Sequence, residues 1–366
     1  MKFSAEKSQI VDSLQNAAAV AERRQTIPIL ANLRLKTVSG KLEVTATDLE
    51  IQVKTYCELL GVEEEGETTV SARKMSELCR SLPDAENVDF ELKDGKLTVS
   101  SKNFHGDFAT ISADDFPELE INEEQKSIQV QSSALKRILT KTSFSMATQD
   151  VRYYLNGLLL ELSGNELKGV ATDGHRLALS SSKTSGNDFE MRNILPRKAV
   201  LELAKLLPAE DLTIEMLVGT TYIGIKTENL SFSSKLIDGK YPDYEKVFPS
   251  GEPLPLRVGK ETLQSALSRA SVLSNEKYRG VRFELSMGAL KLTANNPEQE
   301  SAEEVLEVEY KGVDLEVGFN IGYLIDVLSS LEEETVNFEF YGEDSSCVIK
   351  EPDSEKELYV IMPMRL

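Results

Sequence analysis

The chain has 366 residues, 40% of them hydrophobic and 28% charged, and a formal net charge of −20. That length exceeds one ordinary core and implies two or three folded domains. The acidity excludes a surface that is basic all over, because its field repels phosphate; any contact with DNA needs a local surface of the opposite sign.

The opening Met1-Lys2-Phe3-Ser4-Ala5-Glu6-Lys7 meets charge at once, and nowhere do eighteen apolar residues run together. Secretion and membrane spanning are therefore not expected, and a cytoplasmic location is. A strand-like pattern leads into an amphipathic helix from residue 6 to about 19. Residues 41–48 (KLEVTATD) read as a strand ending in a polar turn, residues 71–83 carry apolar side chains at helical spacing, and residues 88–92 read as another strand.

The series then restarts. A helix is predicted from residue 132 to about 144, a strand and turn at 167–173 (LKGVATD), and a helix within 195–208. It restarts again with a helix from 260 to about 273, a strand and turn at 290–296 (LKLTANN), a helix within 319–331 and a strand at 336–340. Asp48 and Asp173 stand 125 residues apart, and Asn296 follows 123 later. Asp114-Asp115-Phe116-Pro117 and Gly239-Lys240-Tyr241-Pro242-Asp243-Tyr244 recur in the same frame, with an altered echo at Met362-Pro363. Repeats of this length identify the structural unit.

Each third thus reads strand, helix, strands, helix, strands: an α+β unit with two helices on one face of an antiparallel sheet. Domains are expected at residues 1–125, 126–247 and 248–366, the first boundary marked by the acidic stretch 118–126. Joined edge to edge, such units lose their exposed strand edges on closing into a ring. Six would bring together twelve helices at about 10 Å spacing. The hole left is about 28 Å wide, more than the roughly 20 Å of duplex DNA. Three units per chain would then require a dimer.

Cys57, Cys79 and Cys347 lie far apart with no C-x-x-C pair, as expected of buried thiols in a reducing compartment. The chain lacks G-x-x-x-x-G-K-[ST], G-x-S-x-G and H-E-x-x-H, so no phosphate cradle, activated serine or zinc site is expected, and no cofactor. Asp173 with His175 is the one acid/base candidate, and a repeated hairpin explains it better, since the equivalent turns at Asp48 and Asn296 have no histidine.

Asn156-Gly157, residues 170–180 (VATDGHRLALS), 274–282 (SNEKYRGVR), 293–300 (TANNPEQE) and the ending Met362-Pro363-Met364-Arg365-Leu366 resemble the bacterial DNA polymerase III beta subunit family, and the resemblance runs the length of the chain. It implies a non-catalytic clamp: a head-to-tail homodimeric ring of six domains that encircles duplex DNA without sequence preference. Such a ring tethers the replicative polymerase, and docks the clamp loader and repair proteins through short peptides. The alternative is an acidic interaction scaffold that never encircles DNA.

By that resemblance, Arg24, Arg73, Gln149, Tyr153 and Tyr154 match DNA-contacting positions, with Arg197 and Lys198 as additions. Helical spacing also places Arg73 with Arg80, Lys198 with Lys205 and Arg137 with Lys141 on common faces. The resemblance implies a partner-peptide groove of Leu155, Thr172, Gly174, His175, Arg176, Leu177, Pro242, Val247, Val360, Met362, Pro363, Met364, Arg365 and Leu366. It implies a dimer seam with Val272 and Leu273 on one side and Phe108 and Lys74 on the other. Glu298, Glu300, Glu303 and Glu304 are candidate ion-pair partners there. Gly106 departs from a bulky apolar residue in some members, Asn103 from a basic one and Lys246 from an arginine.

Overall fold

A computed structural model describes residues 1–22, 27–83, 87–119, 121, 123–184, 188–208 and 210–365. Arg24 and Leu366 lie outside the described residues. The helices follow the repeat: α1 Lys7–Ala18 and α2 Ala72–Ser81, α3 Ser132–Thr142 and α4 Arg197–Leu206, α5 Lys260–Val272 and α6 Ile321–Ser330. α1, α3 and α5 each continue directly from a strand, namely Lys2–Glu6, Lys126–Gln131 and Leu254–Gly259.

Spacing fixes which face is buried. α1 buries Ile10, Leu14 and Ala17, α2 buries Ala72, Met75 and Cys79, and α5 buries Leu263, Ala266, Leu267 and Ala270. Burial of each large aliphatic side chain contributes about 1.5–3 kcal/mol. α6 is capped by Asn320, whose side chain accepts from the backbone N–H of Tyr323. α3 lies close to its sheet because Gly169 has no side chain; a Cβ there would run into Ile138.

The chain forms two compact units, and their division runs through the middle repeat: Met1–Ser133 with Glu202–Leu236, and Ala134–Leu201 with Ile237–Leu366. The first holds a 13-stranded sheet. Its core joins Phe3, Ile10 and Leu14 to Leu33, Val44, Met75 and Phe90. The second holds a nine-stranded and a four-stranded sheet. Its larger core gathers Phe283, Phe319, Phe338 and Phe340 beneath α5 and α6.

Two turns show the repeat at atomic detail. The Asp48 carboxylate accepts from the N–H groups of Glu50 and Ile51, while the Thr47 hydroxyl donates to the Ile51 carbonyl and accepts from Leu49 N–H. In the second repeat Asp173 accepts from His175 and Arg176 N–H, and Thr172 donates to the Arg176 carbonyl and accepts from Gly174 N–H. These turns close local hydrogen bonds through Thr and Asp side chains.

Two strand junctions between repeats also share one register. In the first unit Leu230–Lys235 pairs antiparallel with Ile51–Glu58, placing Phe232 opposite Val53. In the second unit Glu357–Ile361 pairs with Arg176–Lys183, placing Tyr359 opposite Ala178. Val53 and Ala178 are equivalent, since they lie across from Ala46 and Ala171 in the repeated hairpin. Phe232 and Tyr359 are equivalent, since they lie across from Ile225 and Ile349.

Candidate functional site

The second unit carries a recess of about 160 Å³ with a mainly apolar lining. Leu155, Pro242, Val247, Val360 and Met362 form its walls, and Thr172, Gly174, Arg152 and Arg176 its rim. Each wall has a local cause. Asn156 ties down the preceding loop, accepting from Asp150 N–H and donating to the Asp150 carbonyl, both at 2.9 Å. Leu155 stands just before Asn156, its N–H donating to the Arg152 carbonyl and its carbonyl accepting from Ala147 N–H.

The Thr172 N–H donates to the Tyr241 hydroxyl at 3.1 Å, which fixes the chain entering Pro242. Tyr241 is buried, and burial pushes its phenol up from the usual range. The 3-10 turn Tyr244–Val247 supplies Val247. On the opposite side, Met362 N–H donates to the His175 carbonyl and Met364 N–H to the Gly318 carbonyl, which holds the final residues along the recess.

Arg176 joins the hairpin to the third repeat. It donates to Asp173 at 3.0 Å, to Asp326 of α6 at 2.6 Å and to the Phe144 carbonyl at 2.7 Å. Its guanidinium also lies 4.4 Å from the Tyr323 ring centre and 5.5 Å from that of Phe144. Arg152 is bidentate to Asp150, whose carboxyl these hydrogen bonds hold at about 2. Both guanidinium groups at the rim are thus paired with carboxylates, leaving a pocket suited to apolar side chains.

Of the groove residues expected from the sequence, Leu155, Thr172, Gly174, Arg176, Pro242, Val247, Val360 and Met362 converge on this recess. Leu177 is in the core beneath it. His175 is exposed and Pro363, Met364 and Arg365 follow along the chain. Arg152 was missed: its only local signal is its place two residues after Asp150.

Among the DNA-facing candidates, Arg73 is exposed on α2, 4.0 Å from Glu77. Gln149 has a left-handed backbone, φ 58°. Tyr153 lies in a 3-10 turn, 57% exposed and edge-on to Tyr154 at 5.8 Å. Arg197 donates to the Met146 and Ser143 carbonyls, and Lys198 is half-buried. Arg137 and Lys141 are both ion-paired within the chain, Arg137 to the buried Glu357 and Lys141 to Glu332. At the expected seam, Val272 is 77% exposed, Leu273 and Phe108 are half-buried and Lys74 is exposed. Glu303 and Glu304 pair within the chain, with Lys291 and Arg269.

Models of the DNA polymerase III beta subunit match in tandem: its N-terminal domain over residues 1–120, its central domain over 129–243 and its C-terminal domain over 245–365. The chain belongs to the beta sliding clamp family. The beta sliding clamp of Pseudomonas aeruginosa is 43% identical and that of Escherichia coli K12 is 41% identical, each with both chains fully covered. The crystal structure of the Pseudomonas aeruginosa clamp bound to griselimycin superposes with TM-score 0.97 at 44% identity, over 100% of both chains.

As a DNA sliding clamp, the chain is a non-catalytic processivity subunit of DNA polymerase III. The hairpin agrees: the Asp173 carboxylate is spent on His175 N–H and on the backbone and side chain of Arg176. Among the described residues no group of His, Cys, Asp and Glu could hold a metal, and no helix is long and apolar enough to cross a membrane.

Proposed function

We propose that two copies of this clamp close head to tail into a ring of six repeats around duplex DNA, with repeat boundaries at residues 1–125, 126–247 and 248–366. The shared register of the two internal junctions carries this reading. Each chain retains one further edge of each kind. Phe104–Ile111 is equivalent to Leu230–Lys235 and Glu357–Ile361, with Gly106 across from Val99. Ser301–Glu307 is equivalent to Ile51–Glu58 and Arg176–Lys183, with Ala302 across from Ala294.

Ser301–Glu307 ends its sheet, and Phe104–Ile111 meets its second neighbour only near Thr110 and Ile111. Pairing these edges between copies in the internal register sets Gly106 opposite Ala302. It also puts the half-buried members of both strands on one face, as a one-residue slip would not. Val272, Leu273, Phe108 and Lys74 then belong to the seam.

Arg24, Arg73, Gln149, Tyr153, Tyr154, Arg197 and Lys198 are the DNA-facing set, reading phosphate charge and no base edges. The recess around Leu155, Val247, Val360 and Met362 takes the apolar anchors of partner peptides from the replicative polymerase, clamp loader and repair proteins. Met362 suits it to several partners because its side chain repacks. The three buried free cysteines fit a reducing cytoplasm.

The test is retention on nicked circular DNA after incubation with the matching clamp loader and ATP, before and after the circle is cut. Retention that disappears on linearisation is expected. Retention unaffected by cutting, or failure to load with an active loader, would overturn encirclement.

A further inference from the structure

Gly106 leaves a gap in the apolar face of its strand, and Phe104 fills it. A Cβ at Gly106 would stand 2.8 Å from the tip of the Phe104 ring, so the ring lies back over the glycine two residues on. The strand alternates, so Phe104, Gly106 and Phe108 share a face, and Phe108 packs against the first-repeat core. Phe104 is 36% exposed in the single chain, unlike the buried aromatics at equivalent strands, Phe232 and Tyr359.

On the facing strand, Ala302 packs against the third-repeat core and Leu306 is part of it. Glu304 between them is drawn back by Arg269 of α5, one turn before the exposed Val272. In the proposed register Gly106 lies against Ala302, so a ring folded over Gly106 lies diagonally across from it. Two small residues facing each other leave space above the ladder, and one aromatic covers both.

We infer that Phe104 is the affinity-determining residue of the copy-to-copy seam: its ring, seated over Gly106, continues the third-repeat core of a second copy of this chain. The inference rests on the ring reading above. An aromatic that covers a neighbouring glycine is a known way to restore apolar area on a strand, and buried aromatics dominate interface energetics.

The experiment is dilution of the full-length dimer, followed by analytical ultracentrifugation, for the wild type, Phe104→Ala and the double variant Phe104→Ala with Gly106→Leu. Phe104→Ala is expected to dissociate at about thirty-fold higher concentration, as for an interface hot spot. The double variant regains most of the affinity, because its leucine returns apolar bulk to the same face and no longer meets the ring. Far-UV circular dichroism of the dissociated chains checks that the fold is retained. A dimer indifferent to Phe104→Ala, or one that the second substitution fails to restore, overturns this inference alone. A wild type that stays monomeric at all concentrations overturns the ring reading, and this inference with it.

Discussion

Leu49 occupies the place in the first hairpin that Gly174 occupies in the second, and both backbones are left-handed, with φ 77° and 90°. The same Thr-Asp hydrogen bonds impose that conformation on two different residues. For leucine it costs about 1–2 kcal/mol. Leu49→Gly is therefore expected to stabilise the clamp by about 0.5–1 kcal/mol, measured as a shift in the urea midpoint. Gly174→Ala is expected to destabilise it, and more than strain is involved: the new methyl would stand 3.0 Å from the Arg152 guanidinium.

Arg137→Met tests the buried pair with Glu357. The arginine donates twice to a carboxylate that is only 2% exposed, with Ser180 as its further donor. Removing the cation leaves the carboxylate uncompensated, so stability should fall by about 3 kcal/mol. A denaturant titration that gives less than about 1 kcal/mol would show that the pair does not contribute as a buried ion pair.

Val247→Asp sets a charge into the apolar wall of the recess. Affinity for a labelled peptide from the replicative polymerase should fall about 100-fold or more, as fits an unpaired buried charge, measured by fluorescence anisotropy. The dimer should dissociate at its wild-type concentration, which separates loss of the recess from loss of the ring.

Glu118 gives the clamp an acid-sensitive contact. Burial alone would raise its carboxyl, but donation from Lys54 and Arg34 outweighs burial and holds it below the usual range. Its contribution is therefore complete above the ordinary carboxylate value of about 4.3 and is lost as pH falls through the lower folded value. Wild-type stability should drop more steeply than that of Glu118→Gln between about pH 5 and about pH 3. Parallel curves for the two proteins would show that Glu118 is equally acidic when unfolded.

The repeat was legible because the physics that sets it is local. Thr47-Asp48 and Thr172-Asp173 announce their turns in two letters, and the apolar spacing of Ile10, Leu14 and Ala17 announces a helix face. The committed charges were not legible. Arg137 and Lys141 have the spacing of a basic stripe, but their partners, Glu357 and Glu332, are about two hundred residues away in sequence. Arg152 was invisible for a different reason: its ion pair with Asp150 is local, but its place at the recess depends on Gly174, which only the fold brings beside it. Resemblance located most of the recess; which cations remain available for phosphate could be learned only from side-chain geometry.

The common register of Phe232 with Val53 and Tyr359 with Ala178 has a kinetic consequence. Each of these joints is made within one polypeptide, where the tether keeps the strands at high effective concentration, so neither can be diluted apart. A ring of two such chains has only two joints that obey mass action. Substitutions along Phe104–Ile111 or Ser301–Glu307 can therefore alter how long the ring stays shut while the four tethered joints keep their strength. The lifetime of the closed ring and the stability of the fold can vary independently through evolution.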